Sequence, residues 1–251
     1  MATPARRRGK RVLRRLIGAG VVTIVVVFLL VYFVLFPTSS PKPFKLSTST
    51  VPAAGASSGS AGSSTQAASA TQLSGSFKVA TGSQAGYRVR EKLAFLPAQS
   101  DAVGRTSQIT GSATLIEAPG SVEISAASFS VAVNTLKSDR SMRDEKIHSI
   151  GLESDRFPTA TFSLDTPLTI STSAIKGRVA HSSVTGTFTI HGVSRKQTVP
   201  VELSLAGSTL EATGAFTFPW SEFGMTAPSV GGFVNVTEKA TMEFDLRLQR
   251  S

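Results

Sequence analysis

The 251-residue sequence carries a formal net charge of +10 at pH 7 and contains no cysteine. The lack of cysteine excludes disulfides, thiolate metal sites and cysteine nucleophiles. Seven of the 26 basic residues precede residue 16, so the remaining chain, with 19 basic and 16 acidic residues, is nearly balanced in charge. Because a nucleic-acid-binding domain needs a basic patch on its folded surface, this distribution argues against nucleic acid as a partner.

The N-terminal region is predicted to anchor the protein in the cell membrane. Residues 1–15 form a basic tail, and residues 16–36 form a run without a charge. About 20 apolar residues span a bilayer as a helix, and flanking basic residues favour the cytoplasmic side. We therefore expect a single-pass protein with a cytoplasmic N terminus and an extracytoplasmic C-terminal domain. A cleaved signal peptide is the alternative, although its apolar region is usually shorter and ends at an A-x-A-like site.

Residues 37–75 are predicted to be a disordered linker. They are almost all Ser, Thr, Ala, Gly and Pro, and such a composition cannot bury enough apolar surface to fold. The segment 55–59 (GASSG) matches the G-x-S-x-G pattern of hydrolases. That pattern places its serine between a strand and a helix, which this composition does not support, so we interpret the match as chance.

Residues 76–251 are predicted to form an all-β domain, because apolar and polar residues alternate along them. The alternation is clearest over 240–248, where Ala240, Met242, Phe244, Leu246 and Leu248 share one face. It recurs over 199–205, 210–218, 184–190, 160–164 and 129–133, with a bulge near Ala127, and further strands are expected near 86–93 and 103–116. One apolar face per strand is typical of antiparallel sheets. Eight such strands predict a closed barrel, with a two-sheet sandwich as the alternative.

The segment 138–148 (SDRSMRDEKIH) interrupts the strand pattern. It has Ser and Asp residues suited to capping and charges at helical spacing, which predicts a short helix. A helix inserted between strands would lie across the barrel and could cover an opening.

Few residues suggest catalysis. The histidines, His148, His181 and His191, lack the spacing of metal ligands and are interpreted as solvated surface residues. Two charges, Glu91 and Arg105, share the parity of the apolar faces of their predicted strands. Because an unpaired buried charge is costly, we predict that they form an interior pair, which either binds a ligand head group or is purely structural.

The inner parity of the predicted strands is rich in phenylalanine, including Phe129, Phe162, Phe188, Phe216 and Phe218. This pattern fits a packed core and a lined cavity equally well, since an eight-stranded barrel can fill its interior or hold one small ligand.

Several blocks resemble the YceI-like family of bacterial lipid-binding proteins, in its actinobacterial style. They are 82–89 (GSQAGYRV) with Glu91, 103–106 (VGRT), 138–144 (SDRSMRD) through 157–162 (FPTATF), 186–192 (GTFTIHG) and 223–225 (FGM) with 228–229 (PS). The resemblance covers about residues 76–249 and implies a lipocalin-like antiparallel barrel with a helix near one end. It also implies a polyisoprenoid or similar long-chain ligand inside, and it supplies no catalytic motif.

The sequence thus predicts a membrane-tethered carrier or storage protein for a polyisoprenoid, an isoprenoid quinone or a similar lipid, without catalysis and without another cofactor. An envelope interaction module with a filled barrel is the alternative, and a hydrolase is disfavoured. No oligomeric state is predicted. The expected ligand-lining residues are Tyr87, Val89, Glu91, Leu93, Arg105, Phe129, Val131, Val133, Phe162, Leu164, Phe188, Ile190, Leu203, Phe216, Phe218, Met242, Phe244 and Leu246.

Overall fold

The structure, a computed structural model, describes residues 40–46, 73–93, 99–230 and 234–251. The strands are β1 (Gly75–Val79), β2 (Gln84–Leu93), β3 (Gln99–Thr106), β4 (Ile109–Ala118), β5 (Ser121–Ala132), β6 (Thr159–Leu164), β7 (Leu168–Ser171), β8 (Ala180–Ile190), β9 (Val193–Ala206), β10 (Thr209–Pro219), β11 (Ser229–Val230) and β12 (Val234–Arg250). Two short α-helices, α1 (Ser141–Lys146) and α2 (Thr172–Ile175), accompany 3-10 turns at Val133–Thr135 and Trp220–Phe223 and a π-helical turn at Ile147–Gly151.

These strands close into an eight-stranded antiparallel barrel, which confirms the predicted fold and excludes the sandwich. Three pairs of consecutive strands, β1 with β2, β3 with β4, and β6 with β7, each act as one broken strand, because both members pair with the same neighbouring strand or strand pair. The order around the barrel is then β12, β10, β9, β8, β6/β7, β5, β3/β4 and β1/β2. Pairing of β1 with β12, in which Val79 lies opposite Leu248, closes the ring.

The period-two pattern places the apolar residues inside, as expected. Along β9 the inward-facing residues Val199, Val201, Leu203 and Leu205 are all buried. The predicted bulge near Ala127 is also present, because the β4–β5 register shifts between Thr114 and Leu115, opposite residues 124–126. The interior contains two apolar clusters, one at each end of the barrel.

Glycines on the inner face make room for phenylalanine rings on neighbouring strands. A Cβ atom on Gly186 would lie 2.3 Å from the Phe162 ring, and one on Gly214 would lie 2.5 Å from the Phe244 ring. Each ring therefore occupies the space that a side chain on the adjacent strand would need, and the barrel wall can curve tightly there.

The face assignment of β3 differs from the sequence-based prediction. Ala102, Gly104 and Thr106 lie opposite Val89, Tyr87 and Ala85 of β2, so these even-numbered positions face inward. The strand is interrupted at residues 107–108. In β4, which follows, the odd-numbered positions face inward, among them the buried Ile109, Ala113 and Leu115. The sequence-based prediction assumed that odd-numbered positions face inward in both β3 and β4, and it therefore placed Arg105 inside. This placement is wrong.

Residues 42–46 lie across the outer surface of the barrel and are called the clasp below. The Arg105 guanidinium donates to the Lys42 carbonyl at 2.6 Å and lies 3.8 Å from the centroid of the Phe44 ring. The Leu46 N–H donates to Glu202 on β9 at 3.0 Å. The clasp therefore contacts both β3 and β9, although its residues fall within the predicted disordered linker.

The predicted helix is present as α1, which continues into the π-helical turn, and residues 138–157 are called the cover segment below. Its Ile147 and Gly151 are buried, and Gly151 packs near Pro228 and Trp220. Among the described residues, no helix is long and apolar enough to cross a membrane. The predicted span at 16–36 lies outside the described residues.

Candidate ligand-binding cavity

The barrel interior contains a cavity of about 110 Å³ lined almost wholly by apolar side chains. It lies between strands that carry the inner-parity phenylalanines and the aliphatic residues of β9, β10 and β12. Phe129, Phe162, Phe188, Leu203 and Phe244 are among its lining residues, and the cavity is only partly enclosed. The inward-facing side chains of neighbouring strands therefore surround an apolar cavity.

A second cavity of about 60 Å³ lies beside the first, toward the cover segment. Ala85, Val131, Ala160 and Met242 line both cavities, so the two are neighbours along the barrel. The cover segment forms one wall of the smaller cavity, to which it contributes Ile147 and Leu152, while Trp220 and Met225 contribute from the loop after β10.

A row of six phenylalanines connects the two ends of the interior. Successive ring centroids lie 4.6–6.3 Å apart in the order Phe129, Phe162, Phe188, Phe216, Phe218 and Phe223. Such distances are in the range of favourable aromatic contacts. The row is therefore a continuous series of aromatic contacts, of which Phe129, Phe162 and Phe188 line the larger cavity and Phe218 lines the smaller one.

Tyr87 lines the smaller cavity with its ring, and the surface of that cavity is apolar. The Tyr87 hydroxyl is buried and makes no hydrogen bond of good geometry among the described residues. Burial raises the pKa of Tyr87 well above its usual range, with Arg143 and Ser138 acting in the opposite direction. The group is a neutral phenol at neutral pH.

Glu91 faces the cover segment and pairs with Arg143, not with Arg105. The Arg143 guanidinium donates to both Glu91 carboxylate oxygens, at 2.9 and 3.0 Å, and also bonds Asp139. Burial opposes the charge on Arg143, but the hydrogen bonds and charges of Glu91 and Asp139 outweigh it and raise the Arg143 pKa. The predicted Glu91–Arg105 pair is therefore wrong, and Glu91 instead fastens the cover segment to β2.

Arg105 belongs to an ion cluster on the outer surface. It bonds Glu243 at 2.7 Å, and Arg88 lies 3.4 Å from the other oxygen of the same carboxylate. Glu243 is only 2% exposed, because two arginine side chains and the clasp surround it. Since Arg105 lies outside, it does not meet a ligand in the interior.

Most of the sequence-predicted lining residues line a cavity in the structure. The larger cavity is lined by Phe129, Val131, Phe162, Leu164, Phe188, Leu203, Met242, Phe244 and Leu246, and the smaller by Tyr87, Val131, Val133, Ile190, Phe218 and Met242. Val89, Glu91, Arg105 and Phe216 line neither, and the side chain of Leu93 is outside the described part. Sequence reasoning missed the cover residues and Trp220, which alternation along strands cannot reveal.

The histidines differ from the surface residues that were expected. His181 is exposed, as predicted. His148, in contrast, bonds Ser154 at 2.7 Å and the Leu136 carbonyl at 3.1 Å, and the His191 side chain is 10% exposed, with its ring centroid 4.3 Å from that of Phe157. Both therefore have structural contacts in the cover region. Within the described ranges no cluster of His, Asp and Glu could hold a metal ion.

A closed antiparallel eight-stranded barrel around an apolar interior is the architecture of lipocalin-like proteins. The chain belongs to the YceI-like family, because the model of the YceI-like domain matches residues 56–248, well over half of the sequence. A comparison with curated proteins gives no significant match.

Solved structures with a similar fold include a polyisoprenoid binding domain from Saccharophagus degradans implicated in plant cell wall breakdown. It is 13% identical, with a TM-score of 0.52, and the match covers 71% of this chain and 99% of that one. BcnA of Burkholderia cenocepacia is 19% identical, with a TM-score of 0.46 and coverage of 65% and 95%. The YCEI protein of Campylobacter jejuni is 16% identical, with a TM-score of 0.47 and coverage of 64% and 91%.

Proposed function

We propose that the barrel binds a long apolar chain, such as a polyisoprenoid or the tail of an isoprenoid quinone, without catalysing a reaction. The observation that carries this proposal is the pair of neighbouring apolar cavities along the barrel. The membership of the YceI-like family supports it, as does the similarity in fold to a domain that binds polyisoprenoid.

The free volume sets a condition on binding. An apolar cavity of about 150 Å³ holds a molecule the size of benzene, whereas the larger cavity here measures about 110 Å³. A long chain therefore enters only if phenylalanine side chains in the connecting row change rotamer. Phe162 and Phe188 belong to that row and line the larger cavity, so their movement would enlarge it.

The energetics suit a carrier that exchanges its ligand with a membrane. Burial of one methylene group from water contributes about 0.8 kcal/mol, so a long chain leaves water readily. In a bilayer, however, the chain is already in hydrocarbon, and transfer from bilayer to barrel is nearly balanced. Loading and unloading then depend on small differences in packing and on the polar end of the ligand.

Tyr87 lines the smaller cavity with its ring. Its hydroxyl is not exposed to that cavity, so donation to a carbonyl, ester or hydroxyl oxygen at the end of the chain requires the ring to move. The nearby cation Arg143 is already bonded to Glu91 and Asp139. The arrangement therefore favours a neutral head group, because a diphosphate would need a cation without an acidic partner.

Matched substitutions on β5 test the proposal. Ala127 lines the larger cavity, while its neighbour Ala126 is exposed on the outside. Ala127→Phe should fill the cavity, and Ala126→Phe should not. Mass spectrometry of organic extracts of the purified full-length proteins should find lipid with the wild type and Ala126→Phe, and much less with Ala127→Phe. Equal lipid in all three proteins, or none in the wild type that has been incubated with lipid vesicles, would contradict binding in the barrel.

We also propose that the domain works outside the cytoplasm, tethered by residues 16–36. The support is the uncharged run and the basic tail that precedes it. Protease added to intact protoplasts should remove the barrel and leave a short membrane-bound stub. Protection of the barrel would refute this orientation, and release of a protein that begins near residue 40 would indicate a cleaved signal peptide.

A second candidate is an interaction module with a filled barrel. It is favoured by the phenylalanine row, whose rings already contact one another through the centre of the interior. This candidate predicts that no lipid is extracted and that Ala127→Phe costs stability without altering a ligand.

A further inference from the structure

One position in the barrel wall lacks the pairing found elsewhere. In the fully described range 159–190, β6 pairs with β8 only from Leu164 opposite Gly186 to Thr161 opposite Thr189. Beyond that point β7 pairs with β5 alone, and Ala180–Val184 of β8 pair with β9 alone. The wall between β7 and the first half of β8 therefore has no ladder.

The break has a cause in the sequence. Pro167 lies between β6 and β7 and cannot donate a backbone hydrogen bond, so the strand stops there. The backbone N–H groups of Asp165 and Thr166 both donate to the Thr185 carbonyl, at 3.0 and 3.4 Å, which ends the connection to β8. After this shared carbonyl the two strands separate.

The inward-facing residues beside the gap are incompletely covered. Leu164, Leu168 and Val184 line the larger cavity and are only half-buried. Phe129, Met242 and Phe244 line the same cavity from fully paired strands and are also half-buried. The missing ladder, and not greater exposure, therefore distinguishes the gap from the rest of the wall.

Side-chain contacts close the other possible entrances to the interior. The cover segment is tied to β2 by the bidentate contact between Arg143 and Glu91. On the opposite side of the ring, the seam between β12 and β2 carries the Glu243 ion cluster, and the clasp lies over it. At the far end the buried Ile175 of α2 packs into the apolar cluster.

We propose that the gap between β7 and β8 is a lateral opening through which a single hydrocarbon chain enters and leaves the larger cavity. The inference rests on the proposed function, because it assumes that the interior binds a chain. The rim of the gap has inward-facing apolar side chains together with serine and threonine. A single acyl or prenyl chain can pack against the apolar side chains. Residues Leu168 and Ser182 on the two sides of the gap control passage.

The test uses neighbouring serines on β8. Ser182 has the inward parity but does not line either cavity, and Ser183 is exposed. The full-length protein is mixed with phosphatidylcholine vesicles that carry the methyl ester of cis-parinaric acid, a fluorescent lipid without a charge. Uptake and release are followed by energy transfer from Trp220, the single tryptophan, which lines the smaller cavity.

Ser182→Phe should slow uptake and release together, each by about tenfold, with equilibrium occupancy unchanged, because obstruction alters rates and not affinity. Ser183→Phe should exchange at the wild-type rate. Leu168→Ala, which widens the gap, should exchange faster, and it keeps the test decisive if Ser182→Phe does not fold. Wild-type rates in both Ser182→Phe and Leu168→Ala would overturn the lateral opening while leaving lipid binding intact. Absence of uptake by the wild type would overturn the proposed function and the opening together.

Discussion

The Arg105 guanidinium donates two hydrogen bonds to one oxygen of Glu243, at 2.7 and 3.1 Å, on the outer surface of the barrel. Glu243 is nevertheless 2% exposed, and Arg88 approaches its second oxygen. A carboxylate is therefore buried outside the core, where the clasp and two arginines replace water.

Glu243→Gln should lower the free energy of unfolding by about 3 kcal/mol, since it leaves the partly buried Arg105 guanidinium without its acidic partner, whereas Arg88 keeps its ion pair with Asp101 at 3.0 Å. Glu211→Gln is the control, because Glu211 pairs at 3.7 Å with an Arg247 side chain that is 51% exposed, and it should cost less than about 1 kcal/mol. Urea unfolding followed by Trp220 fluorescence measures both. Equal losses in the two variants would show that the Glu243 cluster is not specially stabilising.

Phe44→Ala should loosen the clasp. The ring lies over the Arg105 guanidinium, and such a contact contributes about 1 kcal/mol. Trypsin should then cleave after Lys45 faster than in the wild type. Lys42→Ala is the control, because only the Lys42 carbonyl contacts Arg105 and the cleavage site at Lys45 is retained. Unchanged cleavage of Phe44→Ala would mean that the clasp is held by other contacts.

Gly104→Ala should destabilise the barrel by roughly 1–3 kcal/mol, the usual cost of overpacking. A Cβ atom at this position would lie 2.3 Å from the Tyr87 ring. Tyr87→Leu should relieve part of the loss, so thermal unfolding of the double variant should show positive coupling. Additive losses would show that the Tyr87 ring does not occupy the space beside Gly104.

Asp245 gives a pH-dependent prediction. Burial raises the pKa of Asp245, while Arg247 opposes the shift. The folded state therefore holds the proton more tightly than the unfolded state, and stability is lost as pH rises from the unfolded pKa of about 4 through the folded value. Asp245→Asn should gain stability relative to the wild type between pH 3 and pH 7 in urea unfolding. A constant difference over that range would contradict the shift.

Much of the barrel follows from alternation in the sequence. The strands β8, β9, β10 and β12 each bury one parity against the interior, and their inner faces were predicted because the period of two runs without interruption. The same rule placed five of the six phenylalanines of the row on inner faces, since each of the five occupies an inward position on its own strand. Phe223, in the 3-10 turn after β10, was not predicted.

The errors arose where neighbouring structure alters a regular pattern. The interruption at residues 107–108 changes the inward-facing positions from even-numbered in β3 to odd-numbered in β4. The alternation of apolar and polar residues alone does not reveal this interruption. Glu243 lies on the polar parity of β12, and its burial depends on the clasp, which is distant in sequence. Glu91 pairs with Arg143 in the cover segment. Strand parity could not predict this pair, because tertiary packing determines which charged side chains meet.

The closure of the barrel by β1 and β12 has a consequence for folding during synthesis. Phe77 near the start of the domain pairs with Arg250 near its end, and the clasp bonds β3 and β9 from an even earlier part of the chain. The β1–β12 pairing cannot form until almost the whole chain has been made, and the bond from the clasp to β9 must wait until Glu202 has been made. Until then the apolar inner face and two sheet edges stay open, so a truncated chain would be prone to aggregate. Such long-range pairing also makes the final closing step slow.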